Sequence, residues 1–465
     1  LKIPESVTGI GDSAFYICTG FSGSLNIPNS VTSIEGGSFA FCVGLSEVRI
    51  PESVTSIGEG AFDNCKGMCC DLSISNSIVS IESFAFANCG FKGSLVIPDS
   101  IDSISNGLFE SCSSFSGKLI IPDSVKSIGD YAFFGCSGFT GTLEIPNSVS
   151  SIGCSAFKLC TGISGKLKIP ELKSIRSETF AYCSGFSESL DIPNSVQSIE
   201  YSAFLNCSGF CDSLIIPDSV QSIGFQAFMN CSGFTGSLII PDSVEKISFA
   251  CFANCCGFDG SLVIPSSIKS IGINLFANCS GFSGSLKIHD SVISIYDGAF
   301  YGCSGFSGSL NIPGYVTSIG DSSFAYCSGL TGSLVLPESI KIISDNAFLS
   351  TRFSMILYLG IYEPKCSSSI GFNEDQVITV TDLYKNDSFC SFIVKGPTQE
   401  PTKQPTSQPS DNPKHKDHKF LIIAVSVSAI IIVVAIIIIV VNVRRKKNNK
   451  ENVPLISQSV DYNKY

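Results

Sequence analysis

A 24-residue unit, IPDSVKSIGDYAFFGCSGFTGTLE at residues 121–144, recurs end to end from Leu1 to about Phe353. Aligned on the Ile-Pro step, fifteen copies run from Pro4 through Pro122 to Pro337, with Ser75 and His289 standing for proline in two of them. Of the fourteen intervals, eleven are 24 residues and three are 23. So regular a period requires one supersecondary unit per repeat, stacked so that neighbours bury a core no single unit could form.

Within the unit, Leu143, Ile145 and Pro146 read as a short strand with Glu144 pointing outward, because alternate side chains of a strand face opposite sides. Proline closes the strand, and the Asp-Ser that follows makes a turn. Val125 to Ile128 then reads as a second short extended segment, ended by Gly129. The AFxxC step, Ala132 to Cys136, is expected to form about one helical turn, with Gly138 and Gly141 bending the chain back.

The pattern IPxSVxSIGxxAFxxCxGFxGSLxIP resembles the BspA-like leucine-rich repeats of microbial and protist surface proteins, over roughly residues 1–353. Most copies have ten steps from cysteine to proline, as from Cys136 to Pro146. Cys42 to Pro51 has nine, which resembles the shorter family form. The resemblance implies a leucine-rich-repeat solenoid and a role in adhesion. The expected fold is that solenoid with one strand per repeat, a second short extended segment and a short helical turn, then a C-terminal cap and one transmembrane helix.

Two columns of aromatics follow from the period. Every copy has phenylalanine at the AF step, from Phe15 to Phe348, and most have it at the GF step, with Leu45, Met68, Ile163 and Leu330 as substitutes. Substitutes that keep hydrophobicity mark a core position. Fourteen of the 22 cysteines stand three residues after the AF phenylalanine, from Cys18 to Cys327, with Thr351 in the last copy. In-register side chains point the same way, whereas zinc or a disulfide needs them to converge. A buried column of thiols is the favoured reading, with metal or disulfides as alternatives. The residue after each proline is acidic in nine copies, but Asn29, Asn76, Asn147 and Asn194 share the place. That mixture favours turn formation over a calcium-binding ribbon. His289 reads as an exposed substitution.

From about Met355 the period is lost, and residues 354–395 are expected to cap the solenoid's open end. Cys366 and Cys390 lie outside the ladder and are the disulfide candidates in an oxidising compartment. Residues 396–419 carry proline at every fourth place from Pro397 to Pro413, which reads as an extended stalk with threonines open to O-glycosylation. Residues 420–441 are free of charge and rich in Ile and Val, which reads as a membrane-spanning helix. Arg444, Arg445, Lys446 and Lys447 follow it, and the positive-inside rule then assigns 442–465 to the cytoplasm and the repeats to the outside. No Met or signal peptide precedes Leu1, so a secretion signal is expected upstream.

Charge excludes one class of partner. Overall there are 29 Lys+Arg against 40 Asp+Glu; residues 396–465 hold ten and five of these, leaving 19 against 35 in the first 395 residues, a net of −16. A nucleic-acid-binding face would need clustered cations instead. Three histidines, two of them at His415 and His418, leave no catalytic triad, and neither a phosphate loop nor a His/Cys metal cluster is present in the sequence. An enzyme is not expected, nor a cofactor.

The sequence therefore points to a cell-surface protein at the plasma membrane, anchored by one helix, whose ectodomain adheres to or recognises an extracellular protein or glycan. The alternative is a signalling or endocytic receptor acting through the tail, where Tyr462, Tyr465, Ser457 and Ser459 are open to modification. Sequons at Asn206, Asn230, Asn278 and Asn386 would face the secretory lumen, and the first three are expected to lean outward if the next cysteine points in. The outward strand position two residues before each proline is often polar, yet Ile215, Ile239 and Val263 fill it in consecutive repeats, flanked by Ser213, Ser237 and Ser261. Two readings stand: β-propensity on a tolerant surface, or a strip for partner binding or lateral self-association.

Overall fold

The computed structural model describes residues 1–395 apart from 374, 375 and 377. Each repeat forms one coil, and the unit at 121–144 shows how. The turn after proline closes with the Val125 N–H donating to the Pro122 carbonyl over 3.2 Å. Ser127–Ile128 then pairs in parallel with Ser103–Ile104 on one side and Ser151–Ile152 on the other. The chain returns as Gly141–Glu144, which pairs in parallel with Ile163–Lys168 and puts Leu143 inside and Glu144 outside. Two parallel ladders thus run along the solenoid.

The expected helical turn at the AF step does not form, and no helix occurs among the described residues. In all fifteen coils two residues four apart take positive φ, such as Tyr131 at 58° and Gly135 at 70°. A left-handed residue breaks a right-handed helix. The hydrogen bonds alternate accordingly. Tyr131, Phe133 and Gly135 donate to the carbonyls of Cys154, Ala156 and Lys158 in the next coil, at 2.8 to 3.0 Å. Phe134 and Cys136 donate instead within the coil, to Tyr131 and Phe133. Three amides per coil that a helix would consume internally are spent on stacking, which offsets the strain of left-handed Tyr, Leu or Phe.

The AF phenylalanines form one stack of nearly parallel rings, neighbours being 5.1 to 5.8 Å apart from Phe15 to Phe348. It goes one ring further than the repeats, to Phe372 at 5.2 Å. Glycines before the GF residues let the coils approach this closely: a Cβ on Gly138 would stand 2.0 Å from the Phe115 carbonyl oxygen.

Past the last repeat, Met355–Tyr358, Ile378–Val380 and Phe392–Lys395 prolong in parallel the ladder of Ser333–Leu336, the counterpart of Gly141–Glu144, and Lys365–Cys366 prolongs that of Ile342–Ile343, the counterpart of Ser127–Ile128. Among the described residues only Ser388–Phe389 runs antiparallel, against Phe392–Lys395, closing that ladder's edge. The expected transmembrane helix is no part of the observed fold. Among the described residues no helix is long and apolar enough to cross a membrane. Residues 420–441, on whose hydropathy alone that expectation rested, lie outside the described residues, as do the stalk and tail.

Candidate partner-binding surface

Ile215, Ile239 and Val263 are 72%, 59% and 45% exposed, while Leu214, Leu238 and Leu262 beside them are buried. The parallel register sets them side by side: Ile215 bridges Ile239, Ile239 pairs with Val263, and Val263 bridges Lys287. Their serines follow the same order. The Ser261 N–H donates to the Ser237 hydroxyl over 3.0 Å, whose oxygen is 3.2 Å from the Ser261 hydroxyl, while Ser213 is exposed at the near end. Charge bounds the strip at both ends, with Lys287 on one side and Asp191 on the other. Asp191 accepts from Lys166 at 2.6 Å, and that bond with its charge raises the lysine's pKa.

The same outward place holds a second apolar pair missed in the sequence, Val96 and Ile120, paired in register and 51% and 47% exposed. The rule that finds Ile215, two residues before proline, would have found them. Between the two patches stand Glu144, Lys168 and Asp191.

The ladder cysteines are buried beyond Cys18 and carry free thiols. Thirteen of them, Cys42 to Cys327, donate S–H to the AF carbonyl of the preceding coil, as Cys160 does to Phe133 over 3.1 Å. Burial pushes the Cys42 thiol up to about 11 and those of Cys112, Cys183 and Cys327 up to about 12. Among the described residues no group of three or more His, Cys, Asp or Glu is placed to hold a metal ion. The structure joins Cys366 to Cys390 as a disulfide, with Cα atoms 5.4 Å apart.

The serine of the post-proline turn has a role that sequence reading did not assign. In eleven coils its hydroxyl donates to a backbone carbonyl of the coil before, as Ser148 does to Val125 over 2.7 Å. His289 accepts the Ser291 N–H on Nδ1 at 3.1 Å, serving that turn where proline is missing. The sequon asparagines before the ladder cysteines also belong to a ladder. Asn230 Nδ2 donates to Asn206 Oδ1, Asn254 to Asn230 and Asn278 to Asn254, at 2.7 to 2.9 Å. Asn206 and Asn230 are half-buried, whereas Asn278 and Asn386 are exposed.

Residues 1–116, 116–235, 208–303 and 256–358 match the family model described as BspA type leucine rich repeat region, in six copies. No curated protein matches the chain significantly. Among solved structures, a leucine-rich repeat protein from Bacteroides ovatus is 26% identical, with 72% of this chain and 78% of that chain covered and a TM-score of 0.50. A leucine rich cell surface protein from Faecalibacterium prausnitzii is 28% identical, with 70% and 82% covered and a TM-score of 0.42.

Proposed function

The chain belongs to the BspA type leucine rich repeat family, and from that premise we propose that it is a surface recognition protein whose repeats adhere to an extracellular partner. The observation that carries this reading is the in-register apolar strip of Ile215, Ile239 and Val263, three coils long, longer than the Val96 and Ile120 pair and bounded by Asp191 and Lys287. Inward packing does not require it, since Leu214, Leu238 and Leu262 already supply the core. A contiguous exposed apolar patch bounded by polar residues is the signature of a contact surface, which isolated exposed apolar residues are not. The Cys366–Cys390 disulfide supports an oxidising, extracellular setting, and the net charge of −16 over the first 395 residues argues for a partner other than nucleic acid.

The test is a binding screen of the full chain against cell, matrix and glycan surfaces. Retention on at least one class, saturable and competed by unlabelled protein, is the expected result. No saturable binding to any of them would overturn the reading.

A further inference from the structure

A different face of the same coils carries a second surface. The residue two positions after the isoleucine of the Ser-Ile ladder, such as Ile128, is polar in many coils and has an internal task there. Asn106 accepts the backbone N–H of Asp130 at 2.9 Å, Asp130 accepts that of Cys154 at 2.7 Å, and Asp297 accepts that of Asp321 at 2.8 Å. In four consecutive coils the place is taken by Tyr201, Phe225, Phe249 and Ile273, none of which offers a carboxylate or amide acceptor. Tyr201, Phe225 and Phe249 are 44%, 39% and 50% exposed, and the first two rings stack at 5.8 Å. Four neighbouring coils have thus given up a coil-to-coil hydrogen bond, and three of them set aromatic rings toward water.

Three of these four side chains form one wall of a groove. Phe225, Phe249 and Ile273 line one side, each followed in sequence by a further lining residue, Gln226, Ala250 or Asn274; the buried Ala253 and Ala277 form the floor, and Asn254 and Asn278 line the other side. Met229 and Tyr301 stand at the floor's two ends, where the alanines give way to larger residues. None of the lining side chains carries a charge at neutral pH, in a region otherwise net acidic. The asparagine wall is ordered by its own ladder, in which each bond uses one of the two N–H donors of one amide and one acceptor site of the next. Each coil therefore presents a fixed spare amide donor and acceptor opposite an apolar side chain.

We propose that this groove binds an extended, uncharged glycan. Apolar sugar faces fit against the exposed rings, and hydroxyls fit the spare amide groups, which repeat with the coil at ~4.8 Å. That rise is comparable with one unit of an extended pyranose chain. The absence of charge disfavours an acidic polysaccharide. A second copy fits poorly, because a stable dimer buries at least about 1,200 Å² in total, and this surface is one side chain wide and three coil rises long. The groove is separate from the strip of Ile215, Ile239 and Val263.

The test is calorimetric titration of the full chain with cellohexaose, mannohexaose and chitohexaose, with a heparin hexasaccharide as the charged comparison. At least one uncharged hexasaccharide should bind. The double variant Phe225→Asn, Phe249→Asn should weaken it at least tenfold with unchanged thermal unfolding, since asparagine suits this place at Asn106. Ala277→Lys, which fills the floor with the residue found there as Lys158, should do the same and serves if the double variant fails to fold. Ile215→Lys, Ile239→Lys, Val263→Lys should bind the sugar normally, which keeps this inference separable from the strip. Four results would overturn it: no binding of any uncharged hexasaccharide, binding of heparin alone, unaltered binding by folded groove variants, or loss of self-association or of protein capture, and not of sugar, in those variants.

Discussion

The thiol of Cys136 donates to the backbone carbonyl of Phe109 across 3.1 Å, joining two residues 27 apart in sequence and one coil apart in space. Repeated along the chain, this contact gives the cysteine two requirements. It must be small enough for the core and must carry a donor for a carbonyl that stacking leaves inside. Valine or alanine would meet only the first.

Alkylation of the native protein should therefore follow burial. Cys69 and Cys256 are exposed and free, and iodoacetamide should reach them first, with Cys70, Cys154 and Cys211 slower. Cys42 to Cys327 of the ladder should react only after denaturation. Mass spectrometry showing ladder thiols joined in disulfides, or labelled as fast as Cys69, would contradict the buried column.

Alkali should unfold the protein. The thiols of Cys42, Cys112, Cys183 and Cys327 lie above their ordinary value of 9.0 because burial disfavours the thiolate. Their stabilising contribution is complete below pH 9 and is lost as pH rises toward 11 or 12, since the unfolded chain gives up protons that the folded chain keeps. Each of the enclosed thiols of Cys112, Cys183 and Cys327 costs about 1.4 kcal/mol per pH unit in that window, and Cys42, nearer the end of the column, costs less because solvent screens it. Circular dichroism under argon should show cooperative unfolding above pH 9. A variant with these four cysteines replaced by serine, less stable at pH 7, should show a shallower loss of stability with pH. Equal slopes would be evidence against thiol ionisation as the cause.

Stacking contacts outside the core should be measurable singly. Ser148→Ala removes the hydroxyl that holds the Val125 carbonyl and should cost about 1 kcal/mol in denaturant unfolding. Gly138→Ala drives a Cβ into the Phe115 carbonyl and should cost about 1–3 kcal/mol. Gly314→Ala, where nothing lies within 4 Å, should change stability by no more than about 0.5 kcal/mol. Equal effects at Gly138 and Gly314 would remove close approach as the reason for the glycines.

Glycan attachment should favour Asn386. It is exposed beyond the last repeat, whereas Asn230 and Asn278 each use one N–H of the amide nitrogen that would carry the sugar in a bond to the neighbouring coil. Site mapping of protein from its own host should find Asn386 occupied and Asn230 and Asn278 empty. Glycan at either of the latter would contradict protection of these sites by the ladder.

The period and the phenylalanine column could be read from sequence because each repeats one residue type at one offset, and the outward strand position because it stands at a fixed distance before the proline. The AF step could not. Its left-handed places hold Ile17, Phe41, Tyr131 and Leu159 as well as Asn and Gly, so no local preference announces them. Only amide bonds to the next coil make that backbone favourable, and those bonds exist only in the stack. The turn after proline forms as expected, but the second role of its serines was hidden for a related reason. Asp-Ser after proline is a sound turn signal, and it hid a hydroxyl that reaches the coil before. Phe372 lies where the period is already lost, so the sixteenth ring of the stack had no offset to mark it. In the candidate strip, Ile215, Ile239 and Val263 stood out from sequence alone, whereas the groove beside Phe225 and Phe249 needed the alanine floor and asparagine wall to be placed together.

The most direct measurement is the affinity of the full chain for whichever extracellular surface retains it, compared across two charge-matched variants. One carries Ile215→Lys, Ile239→Lys and Val263→Lys; the other places the same three lysines at Asn26, Ser73 and Asn311 on the same outward strand positions. A strip that contacts the partner predicts binding at least tenfold weaker in the first and near wild type in the second, with thermal unfolding alike in both. Equal binding by the two variants would contradict the account and leave the strip as β-propensity on a tolerant surface.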